Sequence, residues 1–159
     1  MITARLKKII SLLGEEFALE DITLKAGISP RTAKKYLSEM IKLGIVTKIS
    51  DNKYALTEEG SLILEGSRVK EKIVEDKYSY VFTDENGAPV PVKFDSIEKL
   101  YVILKYKLVP ENIVLHHLRK EYLTKWLADQ LGAKVLARKL ITVNSTSELI
   151  KLLEEYIYD

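Results

Sequence analysis

The stretch Gly27–Gly60, GISPRTAKKYLSEMIKLGIVTKISDNKYALTEEG, decides how the first half of this chain folds. Ser29-Pro30 announces a helix: a serine hydroxyl accepts a hydrogen bond from an unpaired first-turn N–H, and a proline there gives up a donor that had no partner. The helix carries Ala33, Tyr36, Leu37, Met40 and Ile41 on one face and stops at Gly44. Ile45 to Ile49 is β-branched and alternating, Ser50-Asp51-Asn52 is turn chemistry, and Lys53 to Leu56 is extended again. A small hairpin therefore follows the helix directly. Thr57-Glu58-Glu59-Gly60 then starts another helix.

Upstream, Leu6, Ile9, Ile10 and Leu13 stand at helical spacing between Thr3 and Leu13, and Gly14 ends that helix. A short helix follows from about Leu19 to Ala26, with Leu19, Ile22 and Leu24 as its apolar face and Gly27 as its stop. Two short helices joined by a glycine-containing turn make a helix-turn-helix, and the hairpin behind them is a wing. The succession from Gly27 to Gly60 resembles the winged helix-turn-helix regulators of archaea and bacteria. Leu43-Gly44 stands for the pair that closes their recognition helix, and Tyr54 to Gly60 for the tyrosine-x-leucine-threonine-x-x-glycine run after their wing. The resemblance covers about residues 2–64, or roughly forty per cent of the chain.

Charge agrees with a nucleic-acid partner. Ile22 to Leu56 holds seven basic residues against two acidic ones, whereas Thr57 to Asp76 holds six acidic against three basic. Concentrated positive charge on a small surface is what phosphate binding requires. With the apolar face of the recognition helix turned inward, Arg31, Thr32, Lys34, Lys35, Ser38 and Lys42 point outward. The start of such a helix lies nearest the base edges in the major groove, so Arg31, Thr32 and Lys35 are the candidate base contacts. Ser29, Lys34, Lys48, Asn52 and Lys53 are the candidate phosphate contacts, which position a protein on DNA without reading it.

Leu62, Ile63, Val69 and Ile73 continue an apolar stripe from about Glu58 to Glu75, a connecting helix that either pairs with its mate in a homodimer or packs on its own domain. From Lys77 the character changes. Tyr78 to Thr83 alternates as a strand, Asn86-Gly87 reads as a tight turn with both residues at positive φ, and Val90 to Phe94 returns as an edge strand beside Pro89 and Pro91. The remainder reads helical: Ile97–Tyr106, Pro110–Leu118, Glu121–Leu131, Ala133–Leu140 and Glu148–Tyr158. Residues 95–140 resemble an uncharacterised domain family found mainly in archaea, through Ser96, His117-Leu118, Trp126, Leu131-Gly132 and Leu136-Ala137. That family's usual glycine-aspartate is replaced here by Glu121-Tyr122, and the resemblance carries no activity across. The expected core of this half includes Ile113, Leu118, Leu127, Leu131, Leu136, Leu140, Leu149 and Leu152.

The expected class is thus α+β, with a winged helix-turn-helix of three helices and a hairpin (1–57), a connecting helix (58–76) and a mainly helical domain (77–159) for assembly or effector sensing. There is no cysteine, so disulfides and thiolate metal sites are excluded. No apolar run reaches membrane-spanning length and no signal peptide is evident, so a cytoplasmic address and no membrane partner are expected. One glutamine (Gln130) amid many Lys, Glu, Ile and Tyr is the bias of heat-adapted proteins, which points to a thermophilic source. His116 and His117 are neighbours about 100° apart on a helix and cannot chelate one ion together. One is expected to pack against Trp126 or its helix and the other to be exposed. The tyrosines near Trp126 form core, or line a cleft for an effector. Neither a phosphate loop nor a nucleophile arrangement nor an apolar carboxylate pair is present, so no enzyme, cofactor or metal is expected. Three functions remain open: a double-stranded DNA-binding transcriptional regulator, homodimeric and tuned by a small-molecule or protein effector at its C-terminal domain; a winged-helix adaptor between proteins; and a plasmid or replication maintenance factor.

Overall fold

The computed structural model describes residues 2–158 and places them in two compact units that divide between Ser67 and Arg68. The first unit contains α1 (Ala4–Leu12), β1 (Glu16–Phe17), α2 (Leu19–Ala26), α3 (Pro30–Lys42), β2 (Val46–Ser50), β3 (Lys53–Leu56) and the greater part of α4 (Glu58–Val69). Its sheet is antiparallel in the order β1-β3-β2, with Phe17 opposite Tyr54 and Val46 opposite Leu56. Helices and sheet enclose a core of Leu6, Ile10, Ile22, Ala33, Leu37, Met40, Val46 and Leu56, among others. This is a winged helix-turn-helix.

Local chemistry explains each boundary. Thr3 caps α1 by accepting from the Leu6 N–H at 3.2 Å. The Asp21 carboxylate reaches back to the Ala18 N–H at 2.8 Å and closes the first turn of α2. Gly27 ends α2 at φ +64 and Gly44 ends α3 at φ +75, conformations that a Cβ would strain. At the second end, Ile45 N–H donates to Met40 O and Gly44 N–H to Ile41 O, the paired bonds that satisfy the last carbonyls of a helix.

The threonine-x-x-glycine run after the wing has a steric cause. The Thr57 hydroxyl donates to Gly44 O at 2.6 Å and accepts from Gly60 N–H at 3.2 Å, fastening the start of α4 to the end of α3. A Cβ at Gly60 would lie 2.1 Å from the Ile45 carbonyl oxygen, so only glycine allows the close approach. The helix ends at Val69 rather than near Glu75, and Ile73 lies beyond it, 70% exposed. An apolar stripe carried as far as Ile73 on one long helix does not exist.

The second unit contains a two-stranded hairpin, β4 (Tyr80–Thr83) and β5 (Pro89–Phe94), and five helices: α5 (Ile97–Lys105), α6 (Glu111–Arg119), α7 (Tyr122–Leu131), α8 (Lys134–Leu140) and α9 (Thr146–Tyr158). The hairpin turn differs from the expected two-residue type. Only Gly87 has positive φ; Asn86 does not. The Asp84 carboxylate accepts from the N–H groups of Asn86 and Ala88, both at 2.9 Å, and organises a longer loop.

The core of this unit uses Leu100, Leu118, Leu123, Leu127, Leu131, Leu136, Leu140 and Leu149. Val114 and Leu153 are buried where Ile113 and Leu152 were expected, and those two are only partly covered. Tyr80, Phe82, Phe94 and Trp126 form an aromatic cluster, with Phe94 and Trp126 edge to face at 5.0 Å. Trp126 also donates its indole N–H to Tyr78 O at 2.7 Å. His117 is buried, its Nδ1 against the Tyr80 hydroxyl and its Nε2 at 3.0 Å from Thr83, while His116 is exposed. The His117 ring meets Tyr122 on the tryptophan's helix edge to face. Burial pushes the Tyr80 phenol up, and the Tyr122 hydroxyl adds to the shift, so Tyr80 keeps its proton. Three other tyrosines of the second half (Tyr106, Tyr122 and Tyr158) are exposed rather than core.

Candidate nucleic-acid interface

The recognition element is α3, and its start is built by Ser29. The Ser29 hydroxyl accepts from Thr32 N–H at 3.2 Å and lies 2.9 Å from the Thr32 hydroxyl, with Pro30 in the first turn. Ala33, Leu37 and Met40 are buried against the core of the unit, which fixes the rotation of the helix. At 3.6 residues per turn, Arg31, Lys34, Lys35, Ser38 and Lys42 then fall within about 100° of arc on the opposite side. All five are exposed. Ile41, expected inside, sits at the edge of this free face and is 42% exposed.

The four cations of that face have no ion-pair partner among the described residues. The wing is different. Lys48 lies 3.9 Å from Asp51, and Lys53 lies 3.3 Å from Glu16 on β1. Both pairs are exposed and weak. They still offset the charge of the wing, so the uncompensated positive potential concentrates on α3.

Asn52 takes a role that its residue type did not announce. It stands in the wing turn at φ +54, and its side chain faces back into the unit. Its Oδ1 accepts from Leu19 N–H at 3.3 Å, and its Nδ2 donates to the Glu20 carboxylate at 2.9 Å. The bond from Asn52 holds the Glu20 carboxyl below its ordinary value of 4.5. The amide thus latches the wing to the first turn of α2 and is not a free donor for phosphate. Ser29 is likewise engaged in its cap, and Thr32 is half-buried with its hydroxyl against Ser29.

Of the eight residues singled out in the sequence, α3 brings Arg31, Lys34 and Lys35 together on one open face. Lys48 and Lys53 stand on the wing beside carboxylates, and Ser29, Thr32 and Asn52 serve the frame. Lys42 extends the α3 row by two further turns and likewise has no ion-pair partner among the described residues. The carboxylates of Glu16 and Glu20 are the contributors that sequence reading passed over, since each meets its partner across more than thirty residues of chain. Asp51, three residues from Lys48, was the one local sign of compensation.

Residues 6–75 match a protein-family model described as a winged helix-turn-helix. No curated protein and no solved structure matches the chain. The match covers most of the first unit and runs a few residues into the second. Among the described residues no group of three or more His, Cys, Asp or Glu could hold a metal ion. No helix there is long and apolar enough to cross a membrane.

Proposed function

We propose that the chain is a sequence-specific double-stranded DNA-binding protein, acting as a transcriptional regulator. In this reading α3 enters the major groove and the wing follows the phosphate backbone. One observation carries it: on the free face of α3, Arg31, Lys34, Lys35 and Lys42 stand together with no ion-pair partner among the described residues, above a buried face that fixes how they point. Arg31 and Lys35, in the first half of the helix, read base edges. Arginine suits guanine, offering two parallel donors to its O6 and N7. Lys34 and the wing lysines Lys48 and Lys53 hold phosphates.

The protein acts as a homodimer in this account, because two copies read two half-sites and double the number of phosphate contacts. The second unit governs assembly or effector response, and its basic and acidic residues are nearly balanced, twelve to eleven from Lys77 to Asp159. The reading assigns the chain no catalysis. Selection of bound duplexes from a random pool tests it directly. A recovered motif of two half-sites at a fixed spacing supports both DNA reading and dimerisation, and recovery of no enriched sequence overturns sequence specificity.

A further inference from the structure

The second unit contains an open groove of about 590 Å³ between the faces of α7 and α8. Residues 124, 125 and 128 come from α7, with 121 just before it, and 134, 137 and 138 from α8, with 141 just after it. That spacing sets one continuous face of each helix along the groove. Small side chains at Thr124, Ala128 and Ala137 make the hollow, since a larger residue at any of them would fill it. Gly132, at φ +70, turns the chain tightly between the two helices and keeps their faces adjacent.

The rim is cationic. Lys120 and Lys125 stand on one side and Lys134 and Arg138 on the other, against the single carboxylate of Glu121. None of the four cations has an ion-pair partner among the described residues. The apolar part is equally exposed: Ile141 is 65% accessible, and the Tyr122 ring is open beside it. An apolar hollow between two uncompensated pairs of cations complements a ligand with an anionic head and an apolar body.

We infer that this groove binds a small organic dianion, a phosphate monoester or dicarboxylate with an aromatic or branched aliphatic body. The oxyanion lies against the Arg138 guanidinium, which offers two parallel N–H donors, with a lysine ammonium from the facing rim as second partner. The body covers Ala128, Ala137 and Ile141 and packs on the Tyr122 ring. The volume is within the range of pockets that hold small molecules. The site gives the effector role of the second unit a chemical class, and in that consequence alone it rests on the regulator reading. Binding itself does not depend on DNA.

The test is titration of the full chain, followed by NMR, with 1-naphthyl phosphate, inorganic phosphate and 1-naphthol. The phosphate ester is expected to shift the groove resonances and to bind about tenfold or more tightly than either fragment of its chemistry. The double variant Lys134→Glu/Arg138→Glu should weaken it by about tenfold or more. Ala128→Leu fills the hollow while leaving every charge in place, and it should weaken the ester but not inorganic phosphate. Absence of binding at the groove, equal affinity for ester and inorganic phosphate, or indifference to both variants would overturn the inference. Duplex DNA is titrated in parallel. A loss of DNA affinity in the double variant equal to that of Arg31→Ala would make the groove a DNA contact and also overturn it. If wild-type protein binds the ester at the groove but no duplex, the ligand site stands and the regulator reading falls.

Discussion

Asn52 shows how a turn residue can hold a wing to the body of its unit. Its left-handed backbone suits asparagine, and its amide joins the wing to α2 through Leu19 and Glu20. Asn52→Ala removes both bonds, and the wing should exchange its amide protons faster while α3 remains protected. The latch also carries a pH signature. Glu20 titrates below its ordinary value in the folded protein, chiefly because of Asn52, so its contribution is fully present above that value and is lost as pH falls through the lowered one. Thermal midpoints measured down through the acid range should fall more steeply for wild type than for Asn52→Ala. Parallel curves would show that the latch contributes nothing. On the proposed DNA face, Arg31→Ala should cost about 1–3 kcal/mol on the selected site and relax one base position. Lys53→Ala should weaken all sequences alike and only slightly, because Glu16 already offsets part of its charge.

Gly60 and Trp126 test the elements they hold together. Gly60→Ala forces α4 away from the Ile45 carbonyl and should destabilise the first unit by about 1–3 kcal/mol, read by denaturant unfolding. A neutral result would mean that the close approach is not rigid. Trp126→Ala removes a ring packed on Tyr80 and Phe94 together with the bond to Tyr78, and should cost about 3 kcal/mol in the second unit. The helices of this chain were legible because their caps and stops are local: Ser29-Pro30, Gly27, Gly44 and Gly132 each act within a few residues. Strand β1 was not legible, being two residues long and defined only by Tyr54 and Ala55 across the sheet. The five-residue turn after β4 was missed because Asn86-Gly87 looks sufficient alone, whereas Asp84 organises the loop from outside the pair. The one-residue slips at Val114 and Leu153 have a similar origin. Adjacent apolar residues leave the rotation of a helix to its packing partners. Glu121 adopts φ +61, a left-handed conformation that its residue type does not announce.

Across the whole chain, the candidate site was legible to the extent that it lies on one helix. The row Arg31, Lys34, Lys35 and Lys42 follows from the buried positions of α3, which the sequence marks by their spacing. Which cations are offset depends on Asp51, three residues from Lys48, and on Glu16, which nothing local connects to Lys53. The division between Ser67 and Arg68 gives a further expectation. Residues 70–76 belong with the second unit, where Val74 N–H donates to Asp95 O at 3.0 Å. Fragments cut at that division should fold separately, each with a cooperative unfolding transition, and only the first should retain duplex binding. A disordered second fragment, or one that binds DNA as well as the first, would contradict the assignment of roles.

The central claim is that the free face of α3 reads duplex DNA while the wing positions it. It is tested most directly by the affinity of the full chain for its selected duplex, measured against salt for wild type and Arg31→Ala. Three phosphate contacts per subunit, from Lys34, Lys48 and Lys53, predict for a dimer a slope of about −5 in log affinity against log salt. Arg31→Ala should lower affinity for the selected site several-fold more than for random duplex. A flat salt response, or an equal loss on selected and random DNA, would contradict the account.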